Sequence, residues 1–205
     1  MLYQRDQYAK GGAGHWYWDF RDSYVFSRML PHNTSILDVG CGEGIALEKL
    51  VRMYPDRQVI GVDLELENIK ICRKFGLTAV YSDVNSLALP SSRFDFCIMI
   101  DILEHLKTPS EAVHEVYRVL RPGGRLVIVI PNDRNFFLSR LALGMIKEAF
   151  YEVGHEKQWK PRDVIKLLTD TGFRIAGRKS VPFLFWQTSL HHIVTAEKVL
   201  SGGLD

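Results

Sequence analysis

Short apolar runs alternate with segments of helical periodicity along most of the chain. Ser35 to Val39, Gln58 to Val62, Thr78 to Tyr81, Phe94 to Ile100 and Arg125 to Ile130 are rich in Val, Ile or Phe and short enough for buried strands. Helix-length stretches lie between them, the clearest opening at Thr108-Pro109-Ser110-Glu111. Thr108 can cap, Pro109 fits the first helical position and Glu111 can reach back. Val113, Val116, Tyr117 and Leu120 then share one face, and Pro122-Gly123-Gly124 is expected to stop the helix. Strand and helix in alternation predict a parallel sheet covered on both faces.

Past Pro131 the rhythm changes. A mixed aromatic and polar stretch precedes a helix expected from Pro161 to Thr171, ended by Gly172. Strand candidates Phe173 to Ser180 and His191 to Ala196 follow, which brings the expected sheet to about seven strands. A doubly wound sheet binds its ligand at the carboxyl ends of the strands near the switch point, so the loops after the first four strands are where chemistry is expected.

Composition adds limits. The 205 residues are 46% hydrophobic and 24% charged, which suits one globular domain, and no repeat or long linker marks a boundary. Lys+Arg 26 against Asp+Glu 24 leaves a net charge of +2, too balanced to indicate a nucleic-acid or polybasic membrane partner. Cys41, Cys72 and Cys97 form no Cys-x-x-Cys pair and have no His at zinc spacing, so a reduced cytoplasmic setting without a metal is expected. The first residues lack a signal-peptide layout, and no apolar run approaches the roughly 18 residues of a membrane span, although peripheral membrane contact stays open.

The first strand leads into Asp38-Val39-Gly40-Cys41-Gly42-Glu43-Gly44. Glycines let a backbone turn sharply and approach a ligand closely. Dinucleotide enzymes use a similar loop, but their fingerprint wants a small residue where Ile45 stands. Asp63 ends the second strand and Asp83 follows the third. A carboxylate at the first place can accept from both ribose hydroxyls, and one at the second from an exocyclic adenine amine.

These residues, with Asp101-Ile102-Leu103-Glu104-His105-Leu106 and Tyr117-Arg118-Val119-Leu120-Arg121-Pro122-Gly123-Gly124, resemble a class I S-adenosylmethionine-dependent methyltransferase. The likeness runs from about Ser35 to Ile130 and is nearest to the methyltransferase type 11, quinone-biosynthesis-like branch. Gly154-His155-Glu156 and the helix after it are similar to the C-terminal pattern of that group. The resemblance implies a Rossmann-like doubly wound α/β sheet of seven strands, mostly parallel with an antiparallel last strand. It implies that backbone around Gly40 and Gly42 cradles the methionine part of the cofactor and that Asp38 belongs to the cofactor-binding set. Asp63 would take the ribose hydroxyls, Asp83 and Val84 would bracket the adenine, the Ile100 backbone would meet the methionine portion, Arg21 the cofactor carboxylate, and Leu64 would also contact the cofactor. The chain divides accordingly into an N-terminal helical lid (1–34), a cofactor core (35–131), a variable acceptor-covering segment (132–160) and a final helix with strands (161–205). A cofactor-binding partner that does not catalyse would carry the same motifs, and a nicotinamide enzyme is disfavoured by Ile45 and Asp83.

Methyl transfer from a sulfonium needs mainly a near-attack geometry, with a general base only for some acceptors. Asp101, Glu104, His105, His155 and Glu156 are candidates, and His105 and His155 are the two singled out as catalytic. His191-His192 reads as packing or surface. The Asn/Asp-Pro-Pro-aromatic element associated with methylation of adenine or glutamine amines is absent after the fourth strand. The basic residues between Lys157 and Lys179 are broken by acids on an amphipathic helix, so RNA contact is not expected.

The aromatics are uneven, with eight before Pro31, nine after Ile130 and six between. The poor centre coincides with the cofactor sheet. Trp16, Trp18, Phe136, Phe137 and Trp159 are therefore expected to wall a pocket for a small-molecule or lipid-like methyl acceptor.

Overall fold

The computed structural model describes residues 3–9, 11–30, 32, 34–142, 155–183 and 185–199. Strands β1 (Ser35–Val39), β2 (Gln58–Asp63), β3 (Ala79–Tyr81), β4 (Phe94–Ile100), β5 (Leu120–Pro131), β6 (Phe173–Val181) and β7 (His191–Lys198) form one sheet in the order β3-β2-β1-β4-β5-β7-β6. The first five run parallel, and β7 lies antiparallel between β5 and β6. Helices α1 (Tyr3–Ala9) and α2 (Gly12–Phe26) precede the sheet. Helices α3 (Ile45–Met53), α4 (Leu66–Lys74), α5 (Pro109–Val119), α6 (Asp133–Ala142) and α7 (Pro161–Asp170) follow in chain order. Among the described residues no helix is long and apolar enough to cross a membrane.

The period-two alternation of the strands separates two cores. Leu37, Val39, Cys97, Met99, Leu126, Ile128 and Ile130 face one side with Val113 and Val116 of α5 and Val164 and Leu168 of α7. Ile36, Phe96, Ile98, Val127 and Val129 face the other with Val25 and Phe26 of α2, Leu47 and Leu50 of α3, and Ile69 and Cys72 of α4. Burial of both faces explains why these strands read as continuous apolar runs.

Two local expectations are corrected. Thr108 makes no capping bond; its hydroxyl donates to Asn85 Oδ1 at 3.1 Å, tying the start of α5 to the loop after β3. Helix α5 ends at Val119 and Leu120 already pairs with Phe94, so Pro122-Gly123-Gly124 lies inside an irregular first part of β5. A Cβ on Gly124 would sit 2.8 Å from the Arg121 carbonyl oxygen, so this glycine serves a close backbone approach within the strand.

Strand order reverses between β1 and β4, which places the loops after both at the switch point. Gly154 of the expected C-terminal pattern, together with the rest of 143–154, lies outside the described residues.

Candidate active site

The glycine loop turns through three left-handed positions, Gly40 (φ +69°), Gly42 (φ +53°) and Gly44 (φ +80°). Its amides are engaged internally. Gly40 and Cys41 donate to the Val62 carbonyl at 2.8 and 2.9 Å, Gly44 donates to Cys41, and Gly42 donates to Asp63 Oδ2 at 2.8 Å. A pyrophosphate cradle requires such N–H groups to point at the ligand. Their engagement with β2 and Asp63 speaks against a dinucleotide and suits a ligand that carries no phosphate.

Asp38, one residue before the end of β1, is buried, and its Oδ2 has no hydrogen-bond partner among the described residues. Burial, with Cys72, Asp22 and Asp63 nearby, pushes its carboxyl up to about 8. An orphaned buried carboxylate oxygen beside a close-approach glycine loop fits the ammonium of an amino-acid moiety. A Cβ on Gly40 would lie 2.6 Å from Ile102 Cδ1, so the loop and the turn after β4 leave no room for a side chain there.

Asp63 Oδ1 accepts from Glu65 N and Asn68 Nδ2 at 2.8 and 3.1 Å. These bonds and the one from Gly42 fix the carboxylate at the carboxyl edge of β2 while leaving acceptor capacity for hydroxyls. Leu64 beside it is 54% exposed. Asp83 is exposed; its Oδ1 accepts from Asn85 N and Nδ2, which opens a short 3-10 turn at the half-buried Val84.

The turn after β4 carries a second cluster. Asp101 adopts a left-handed conformation (φ +52°) just past the half-buried Ile100. Its Oδ2 accepts from Arg21 Nη1 at 2.5 Å, and Oδ1 lies 3.1 Å from His191 Nε2. Burial opposes its charge, yet His191 and Arg21 hold it well below the usual carboxylate range. Arg21 uses Nε and Nη2 on Asp22, at 3.0 and 2.9 Å, and Lys49 Nζ reaches the other Asp22 oxygen at 2.6 Å. All three guanidinium nitrogens therefore face carboxylates of this chain, so Arg21 positions Asp101 and is not free for a cofactor carboxylate.

His191 was expected to be packing or surface; it is buried inside this cluster. Its Nδ1 is 2.7 Å from the Tyr17 hydroxyl, and Phe136 packs edge-on to its ring with centroids 4.9 Å apart. Burial, against the pull of Asp101, lowers its pKa. Arg5 is a further residue that no motif marked. Its backbone amide donates to Glu43 Oε2, Nε to the Glu43 carbonyl and Nη1 to Glu48, which docks α1 onto the glycine loop. The expected N-terminal helical lid (1–34) covers this segment, but nothing in the sequence singled out Arg5.

The two singled-out histidines come together, with ring centroids 4.8 Å apart at 72°. His155 Nδ1 lies 3.0 Å from Asp133 Oδ2 at the start of α6. Donor atoms of Glu104, His105 and His155 all lie within 4.8 Å of one another, a grouping that chain spacing did not reveal. Glu104 is 2% exposed with neither oxygen partnered among the described residues, and burial, with Asp101 beside it, pushes it up to about 9. The expected aromatic wall divides. Trp159 is a core residue, its indole donating to the Leu103 carbonyl at 3.2 Å, because α7 draws it against Leu103 and Val164. Trp16 is 67% exposed and stacked on Phe20, and Trp18 stacks on Tyr8. Phe136 meets the site through His191. Phe137 sits beside it on α6.

The fold is Rossmann-like, that of solved methyltransferases whose class uses S-adenosylmethionine as cofactor. Residues 37–128 match the methyltransferase domain family, and the chain is similar to S-adenosylmethionine-dependent methyltransferases. It is 32% identical over 115 residues to a ubiquinone biosynthesis O-methyltransferase of Xanthomonas oryzae pv. oryzae, covering 53% of this chain and 47% of that protein. It is 32% identical over 108 residues to the mouse tRNA (carboxymethyluridine(34)-5-O)-methyltransferase ALKBH8, covering 51% of this chain and 16% of that protein. A S-adenosylmethionine-dependent methyltransferase structure from Thermotoga maritima superposes with a TM-score of 0.70 at 20% identity, over 96% of this chain and 98% of that one. The matched region spans between 16% and 60% of the length of these and other curated relatives.

Proposed function

We propose that the protein transfers a methyl group from S-adenosylmethionine to a small-molecule or lipid-like acceptor in the cytoplasm. The observation that carries the reading is the buried, unpartnered Asp38 oxygen beside a glycine loop whose amides are already engaged. It favours an amino-acid ammonium over a phosphate. The quinone-pathway O-methyltransferase among the relatives supports a small acceptor.

The cofactor supplies an electrophilic methyl group and a neutral thioether leaving group. Asp38 would hold the ammonium, and Gly40 and Gly42 admit the chain of the amino acid against bare backbone. Asp63 would accept from the ribose hydroxyls, with Leu64 beside it, while Asp83 and Val84 flank the base. Ile100 and Asp101 form the floor at the end of β4, and Arg21 keeps Asp101 in its left-handed turn. His105, His155 and Phe136 would stand on the acceptor side. Holding the acceptor in line at about 3 to 3.5 Å from the methyl group supplies most of the rate enhancement.

The test is transfer of labelled methyl from S-adenosylmethionine to a panel of phenols, hydroxyquinols, fatty carboxylates, amines and unmodified tRNA. Label in a small apolar or aromatic acceptor is expected. Tight cofactor binding with no label in any acceptor, or label in the RNA alone, would overturn the reading.

A further inference from the structure

Two of the three cysteines meet beneath the glycine loop. Cys41 lies in the loop after β1 and Cys72 on α4, and both pack into the core that α2, α3 and α4 cover. Cys97 of β4 belongs to the opposite core, so the sheet separates it from the other two. Both thiols are aimed at one atom. Cys72 Sγ donates to the Gly42 carbonyl oxygen at 3.4 Å, and Cys41 Sγ donates to the same oxygen at 3.8 Å.

Glycines make the room for the two sulfurs. A Cβ on Gly61 of β2 would stand 2.7 Å from Cys41 Sγ, and one on Gly44 would stand 2.8 Å from Cys72 Sγ. A buried cysteine by itself is a small apolar side chain with an inert thiol. This pair differs because each sulfur acts on the other. The Cys41 thiol donates to Cys72 and lowers its pKa against the effect of burial, with the Arg5 guanidinium helping, while the same contact and burial push Cys41 up. A sulfur that favours its thiolate beside one that keeps its proton is the arrangement from which a disulfide forms.

We propose that Cys41 and Cys72 are a modification site, a thiol pair that a peroxide converts to a reversible disulfide and that thereby weakens the cofactor cleft. With hydrogen peroxide as oxidant, one sulfur attacks a peroxide oxygen and the O–O bond breaks, which leaves a sulfenic acid and releases water. The other sulfur then displaces the sulfenic oxygen, which departs as a second water while the S–S bond forms. The electron pair and the two thiol protons that the cysteines lose are the ones the peroxide gains. A dithiol reductant reverses the step by exchange. Disulfides of this transient kind are the ones a reducing compartment allows.

The consequence passes through Gly42, an effect that rests on the cofactor reading above. A disulfide holds its sulfurs about 2.05 Å apart and its Cβ atoms about 3.8 Å apart. Closing it withdraws both S–H donors from the Gly42 carbonyl and draws the loop toward α4. The Gly42 amide holds Asp63 Oδ2 at 2.8 Å, and the Cys41 amide holds the Val62 carbonyl at 2.9 Å. The loop backbone and the Asp63 carboxylate therefore shift together. Binding and oxidation are linked in both directions: a ligand that prefers the reduced loop is weakened by the disulfide and opposes its formation.

The experiment treats the full chain with hydrogen peroxide, maps its cysteines by peptide mass spectrometry, and titrates it with S-adenosylhomocysteine by calorimetry before and after. A disulfide between Cys41 and Cys72 is expected, with Cys97 left as a thiol and S-adenosylhomocysteine binding weakened about tenfold or more. Dithiothreitol should restore the affinity, and saturating S-adenosylhomocysteine should protect the pair during treatment. Reduced Cys72→Ala and Cys72→Ser should bind within about threefold of the wild-type chain, which shows that they are folded, and peroxide should leave their affinity unchanged. Absence of the disulfide from the treated wild-type chain overturns the proposal. So does a disulfide that leaves the affinity unchanged, or a loss as large in the Cys72 variants as in the wild-type chain. A disulfide that forms in a chain whose reduced state binds no S-adenosylhomocysteine leaves the thiol pair standing and removes the cofactor reading instead.

Discussion

Arg21 Nη1 lies 2.5 Å from Asp101 Oδ2, joining α2 to the end of β4 across 80 positions of sequence. The guanidinium is buried between Asp101 and Asp22, and the second oxygen of Asp22 is held by Lys49 of α3. One side chain therefore orders the N-terminal helices, the glycine-loop helix and the floor of the cleft. Removing one member of such a buried ion network leaves uncompensated charge, which costs about 3 kcal/mol. Arg21→Met should lower stability by about that amount, read as a shift in the urea midpoint at unchanged slope. A shift below about 1 kcal/mol would mean that the network is solvated and not structural.

Asp38 predicts a pH dependence of cofactor binding. Its carboxyl is raised to about 8, so below that pH the free protein holds it protonated, and an ammonium ligand favours the ionised form. Affinity for S-adenosylhomocysteine should rise as pH increases toward 8, with proton release on binding at pH 7. Calorimetry in buffers of different ionisation enthalpy measures that release. Asp38→Asn should abolish both the proton release and the slope; an unchanged slope would place the titrating group elsewhere.

Gly44 and Gly76 share a left-handed backbone, φ +80° and +72°, but differ in their surroundings. A Cβ at Gly44 would stand 2.8 Å from both Cys72 Sγ and Leu77 Cδ1, whereas one at Gly76 meets nothing within 4 Å. Gly76→Ala should cost about 1 kcal/mol for its conformation alone. Gly44→Ala should cost about 2 to 3 kcal/mol, because overpacking adds to the same conformational cost. Equal thermal shifts for the two variants would show that α4 yields freely beneath the loop.

Asp95 anchors the other end of the sheet. Its Oδ2 accepts from Thr34 N, Ser35 N and Ser35 Oγ, and its Oδ1 from Arg121 at 2.7 Å. Burial works against the charge, but the bonds from Arg121, Ser35 and Thr34 outweigh it and bring the carboxyl down to about 2. A depressed carboxylate contributes stability above its unfolded value near 3.9, and that contribution disappears as pH falls through about 2. Asp95→Asn should lower stability at pH 7 by about 2 kcal/mol and flatten the acid dependence between those two values. A variant with the wild-type acid profile would assign acid lability to other carboxylates.

The residues that act within one local unit were legible in the sequence. The strands declared themselves through runs such as Phe94 to Ile100, and Gly40, Gly42, Asp63 and Asp83 each sit within a few positions of a strand end. The residues that were not legible depend on pairing across the chain. His191 reaches Asp101 because β7 inserts between β5 and β6, in a register that sets Pro131 opposite His191. Arg5 reaches Glu43 only once α1 folds back on the loop. Glu104 looked like part of a recurring local pattern; its burial without a partner, and the approach of His155 from beyond α6, exist only in the folded molecule. The continuation of β5 back to Leu120 was hidden because Pro122-Gly123-Gly124 carries the signature of a turn, and here the register shift opposite Phe94 and Phe96 absorbs it.

Calorimetric titration of the full chain with S-adenosylhomocysteine, alongside NADH, tests the cofactor assignment most directly. One equivalent of S-adenosylhomocysteine should bind, and Asp63→Ala should weaken it by roughly 2 kcal/mol, about thirtyfold, through lost charge-assisted hydrogen bonds. NADH should give no heat of binding. Heat with NADH and none with S-adenosylhomocysteine would contradict the cofactor assignment and the function built on it.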